Sequence, residues 1–127
     1  MVLIINRIQF QTNQCIILHF QMNRIEQLLK FIHENPADEF SRYALGLEYM
    51  KMENFTAAEN CFQYLVTNHP DYIGTYFQLG KLLEKSERNE EAKLVFKKGM
   101  EITSGINTKT YSELQNELTN LELGLND

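Results

Sequence analysis

The sequence predicts an all-α fold built as a solenoid of helical hairpins, and three observations lead there. The first is a repeat: Pro36 and Pro70 lie 34 residues apart, and that shift pairs Leu45 with Leu79, Gly46 with Gly80, and Lys51 with Lys85. The same shift pairs Glu53 with Glu87, Ala58 with Ala92, and Phe62 with Phe96. The second is helical spacing of apolar residues inside each unit, as at Phe40, Tyr43, Ala44, Leu47 and Met50. The third is a glycine inside each first helix, at a cost of about 0.5–1 kcal/mol relative to alanine, which calls for a packing reason.

Residues 1–21 form an atypical extension. Arg7 is its only charged residue, and the polar QTNQ at 11–14 interrupts its apolar clusters, which breaks any signal-peptide core. Alternating Ile8, Phe10, Ile16, Leu18 and Phe20 would fit a β-hairpin, with a turn at Thr12 to Gln14. A disordered tail is the second reading. The favoured third takes Met22 as the physiological start and the extension as a product of start-site choice.

From Met22 onward the chain reads as one domain. Ile25, Leu28, Leu29 and Ile32 make an apolar stripe on a helix over about 23–34, stopped by Pro36. Asp38 is the expected N-cap of the next helix, KMEN at 51–54 the turn, and Phe55 onward the second helix, which ends at Pro70. In the next unit Asp71 is expected to cap a helix through about Lys85, and Asn89 opens another that ends near Ser104 and Gly105. Thr110 and Glu113 have capping-box spacing ahead of Tyr111, Leu114, Leu118, Leu121 and Leu125, the stripe of a final capping helix over about 108–123. That stripe would lie on Val95, Phe96 and Met100, or serve as a dimer seam.

Two helices joined by a short turn cross closely. Gly46 and Gly80 on the first helices, with Ala58 and Ala92 on the second, would let the backbones approach nearly to contact. Leu45, Tyr49 and Phe62, with Leu79, Leu83 and Phe96, would fill the space around each crossing.

This spacing resembles the tetratricopeptide repeat (TPR): Leu45, Gly46, Tyr49, Ala58, Phe62 and Pro70, then Tyr76, Leu79, Gly80, Leu83, Ala92 and Phe96. Arg42 departs from it, standing where the family usually has a large aromatic, as do Gly99 and Ser104 for the usual alanine and proline. The stretch from Pro70 to Lys85, followed by SELQNEL at 112–118, is similar to short bacterial two-repeat members, a likeness that begins near Met22. The resemblance implies a right-handed α-solenoid with repeats over about 39–72 and 73–106, flanked by capping helices at both ends. Flanking helices are needed, because about three repeats are normally required for stability.

The resemblance also implies a non-catalytic protein-binding module, an adaptor or complex subunit, whose concave face takes a peptide or a partner helix. The residues expected on that face are Phe40, Tyr43, Leu47, Met50, Phe77 and Lys81. Some family members clamp a terminal carboxylate with lysine and asparagine. Here Tyr43 and Leu47 occupy the first-repeat places and only Lys81 is basic, so the clamp is absent. The second reading is a homodimer that buries the same apolar face or the last helix.

Composition narrows the rest. Charged residues make up 23% and hydrophobic ones 43% of 127 residues, as in ordinary globular domains. A net charge of −5 and a pI near 5.2 argue against a nucleic-acid or polybasic membrane-surface binder. No run of about 18 apolar residues exists to span a membrane, and Cys15 and Cys61 make neither a disulfide framework nor a metal spacing. A reducing cytoplasm fits. His19, His33 and His69 fall in separate segments, and the glycines build no phosphate loop, so neither an enzyme nor a cofactor is expected.

Overall fold

The 34-residue interval becomes a pair of helical hairpins in the computed structural model, which describes residues 2–125. Its helices are α1 (Val2–Glu34), α2 (Glu39–Lys51), α3 (Phe55–Asn68), α4 (Gly74–Lys85), α5 (Asn89–Thr103) and α6 (Thr108–Leu123). Each helix packs on the next in chain order, and no strand occurs among the described residues. The fold is an all-α solenoid with α2–α3 and α4–α5 as its repeated units.

Local chemistry sets most boundaries. The Asp38 carboxylate accepts the Ser41 N–H at 2.8 Å and caps α2. Its hydrogen bonds to Ser41 hold the carboxyl below its ordinary pKa. Asn54 caps α3 in the same way, accepting the Ala57 N–H at 3.3 Å. Both hairpin turns place a glutamate in the left-handed region, Glu53 at φ 59° and Glu87 at φ 60°. The next N–H then reaches back six residues inclusive, Asn54 to the Tyr49 carbonyl at 2.9 Å and Arg88 to the Leu83 carbonyl at 2.8 Å. This pairing closes a helix end on a left-handed residue.

Two expected caps are displaced. Asp71 lies in the turn before α4, whose N-cap is Ile73 without a side-chain bond. The turn bonds Tyr72 N–H to the His69 carbonyl and Thr75 N–H to the Tyr72 carbonyl, so the backbone makes the entry without a side-chain cap. At α6 the cap is Asn107, three residues before Thr110, and it accepts the Thr110 N–H at 3.0 Å. Thr110 is already inside the helix.

The glycines are explained differently from the expectation. At Gly46 and Gly80 the nearest group to a side chain placed there is a phenyl ring. A Cβ on Gly46 would stand 2.5 Å from Cε1 of Phe62, and one on Gly80 would overlap the Phe96 ring still further. The rings thus occupy the volume a side chain would take, and Phe62, Phe96, Ala58 and Ala92 have no exposed surface. Gly99, one of the departures, gives room where α5 meets α4 and α6: a Cβ there would stand 2.7 Å from Tyr76 Cβ and 2.9 Å from Leu114 Cδ1.

The main core joins Phe62, Leu65, Tyr76, Leu79, Leu82, Leu83, Phe96, Leu114 and Leu118 across α3 to α6. Leu114 and Leu118 therefore spend the α6 stripe inside this chain, on Phe96, Val95 and Met100, while Leu123 and Leu125 stay exposed. A second cluster ties α1 to the first unit through Ile25, Ile32, Leu45 and Cys61.

No hairpin forms in residues 2–21, which continue α1 as helix. Alternation fails there because Ile16, Ile17 and Leu18 are consecutive, and a helix already anchored by Ile25 and Ile32 propagates at little cost.

Candidate partner-binding face

The face expected to bind a partner is built from α2 and α4. Phe40, Tyr43, Leu47 and Met50 recur along α2 at helical spacing, and Phe77 and Lys81 lie one turn apart on α4. The structure gives these six residues unequal roles. Phe40 is 66% exposed and free to meet a partner. Tyr43, Leu47, Met50 and Phe77 are half-buried and lean on the main core, so each offers an edge.

Tyr43 organises the junction between units. Its ring centroid lies 6.1 Å from Phe62 and 5.1 Å from Tyr72, both tilted. Gly74 opens α4 beneath it, where a Cβ would come within 3.4 Å of the Tyr43 hydroxyl. Tyr43, Asp71, Tyr72, Ile73 and Gly74 line an open groove of about 400 Å³. Burial, then Tyr43 and the carboxylates of Glu39 and Asp38, push the Tyr72 phenol up, so it stays neutral at physiological pH.

Lys81 is not a free cation. Its Nζ lies 3.0 Å from Glu117 Oε2 on α6 and 3.2 Å from Glu84 Oε2. Burial pulls its pKa down, but the bonds and charges of Glu117 and Glu84 outweigh this and raise it. The three groups carry one positive and two negative charges, so this end of the face repels an acidic ligand. Sequence spacing missed Glu117, which is 36 residues away on another helix.

Burial pushes the Cys61 thiol up to about 11 against the opposing pull of Arg42, leaving an inert core thiol. His69 lies 3.9 Å from Glu39 and its ring 6.2 Å from Tyr64, with no nucleophile between them. Among the described residues, no cluster of His, Cys, Asp and Glu could hold a metal, and no helix is long and apolar enough to cross a membrane.

The tetratricopeptide repeat family model matches residues 41–68 and 73–105. The crystal structure of a tetratricopeptide repeat domain protein from Salinibacter ruber is 40% identical, with a TM-score of 0.64 over 67% of this chain and 96% of that one. The chain belongs to the tetratricopeptide repeat family. A solution NMR structure of a TPR domain protein from Salinibacter ruber agrees, at 41% identity and TM-score 0.65 over 68% of this chain and 89% of that one. The first TPR of Spaghetti (RPAP3), bound to an HSP90 peptide, shares the fold: 20% identity and TM-score 0.67, covering 81% of this chain and 80% of that one. Among curated proteins, none matches the sequence. TPR domains are protein–protein interaction modules and typically non-catalytic scaffolds.

Proposed function

We propose that this TPR domain is a non-catalytic adaptor or complex subunit, cytoplasmic, that binds a peptide or helix on its concave face. The observation that carries this reading is Phe40, 66% exposed one turn before Tyr43, which lines a groove with Tyr72 and Ile73. An exposed aromatic next to half-buried aromatic edges is the composition of a binding hot spot. The ligand is an apolar segment. An acidic tail like the HSP90 peptide on Spaghetti (RPAP3) is disfavoured, because Tyr43 and Leu47 replace clamp residues and Lys81 is already shared by two carboxylates.

The test selects displayed random peptides on the wild-type domain and measures their affinity by fluorescence anisotropy. Phe40→Ala should weaken binding about tenfold or more with melting unchanged, since Phe40 is outside both core clusters. Tyr43→Phe keeps the ring packing and removes only the hydroxyl at the groove mouth. If selected peptides bind Phe40→Ala as tightly as wild type, the concave-face reading fails.

A further inference from the structure

We infer that the first half of α1 is a self-association arm, and that two copies of this chain pair through it about a two-fold axis. This goes beyond the concave-face reading and rests on a different surface. α1 has 33 residues, about 50 Å of helix at 1.5 Å each, whereas α2, on which it packs, has 13. The helices run antiparallel, so Lys51 at the end of α2 comes level with the segment of α1 around Phe20. From residue 12 to Phe20 every residue of α1 is exposed, so this stretch stands out from the first repeat.

That stretch carries large exposed apolar side chains, interspersed with the polar Thr12, Asn13, Gln14 and His19. Ile16 is 57% exposed, Ile17 52%, Leu18 48%, Phe20 73% and Met22 55%. Successive helical residues point about 100° apart, so no single contact within the chain covers them. Together they leave on the order of 600 Å² per copy in water, the most that pairing through these five could bury, against the ~800 Å² that a standard interface buries on each partner.

The arm also lies beside a place to put such a helix. Ile16, Ile17, Phe20 and Arg24 of α1, with Glu48 and Lys51 of α2, line a groove of about 310 Å³. Glu48 is 2% exposed at its floor and held by Arg24 at 3.3 Å and Lys51 at 3.2 Å, so the groove carries one net positive charge.

Charge selects the occupant. The chain carries a net charge of −5, which opposes approach of two copies, yet no Asp, Glu, Lys or Arg occurs from residue 8 to 23. The arm is the part of an acidic molecule that can lie against its own copy without repulsion. A two-fold pairing lays each arm over the other copy's groove, so the same contact forms twice. Lipid is a poorer fit: no helix among the described residues can span a bilayer, and the extension carries one basic residue, Arg7, where an interfacial helix is rich in them.

The experiment is sedimentation equilibrium of the full chain, with circular dichroism on every variant. Wild type should dimerise with a dissociation constant of about 10 µM or tighter. Ile16→Glu with Phe20→Glu should weaken dimerisation at least about 100-fold at unchanged helical content. Phe20→Gln, milder in case the double variant loses helix, should weaken it about tenfold. Leu94→Glu, on an exposed site of α5, should leave the dimer intact. A wild-type monomer at about 100 µM, or a dimer indifferent to these arm variants, overturns the inference. So does a monomer whose arm instead binds phosphatidylcholine vesicles or an apolar helical peptide.

Discussion

Arg42 and Tyr76 stand at equivalent places one repeat apart, and each donates a hydrogen bond to a proline carbonyl six residues earlier. Tyr76 reaches Pro70 at 2.6 Å, and Arg42 reaches Pro36 at 3.2 Å. The Arg42 guanidinium also lies 3.6 Å over the Tyr64 ring, so a flat cation matches Tyr76 in donation and adds a stacking contact.

Arg42→Ala should therefore cost about 1–2 kcal/mol, from one hydrogen bond and one partly exposed cation–π contact. Arg42→Tyr should recover at least half of that. Urea unfolding measures both, and equal midpoints for wild type and Arg42→Ala would show the contact to be idle.

Phe96 lies where Gly80 would carry a side chain. Gly80→Ala should destabilise by about 1–3 kcal/mol, because the overlap is with a ring fully enclosed in the core. Phe96→Leu leaves room, so the alanine should cost less in that background. A double-mutant cycle reads the difference as a coupling energy.

Glu53 and Glu87 hold left-handed backbone that costs an L-residue about 1–2 kcal/mol. Glu53→Gly should raise stability by roughly 0.5–1 kcal/mol once glycine's extra unfolded-state freedom is subtracted. A thermal melt with a lowered midpoint would mean the glutamate side chain stabilises its turn by more than the strain.

Asn107 and Thr110 distinguish a true cap from an apparent one. Asn107→Ala should cost about 1 kcal/mol by removing the acceptor of the Thr110 N–H. Thr110→Ala should change stability by less than about 0.5 kcal/mol, the usual range for sites away from such features. The reverse order would return the start of α6 to Thr110.

The sequence by itself determined the repeat, its period and the fold class, because proline stops, helical spacing and paired small residues are local signals that recur. It also placed the caps at Asp38 and the helix end at Ser104 and Gly105. Tertiary structure decided everything that depends on residues distant in the chain. Rings rather than backbones fill the space at Gly46 and Gly80, since which neighbour takes a vacant volume is settled only by packing. Lys81 is neutralised by Glu117 from another helix, which one-dimensional spacing does not register. Residues 2–21 became helix because a long helix anchored further on extends cheaply, whereas a hairpin would have needed a partner surface.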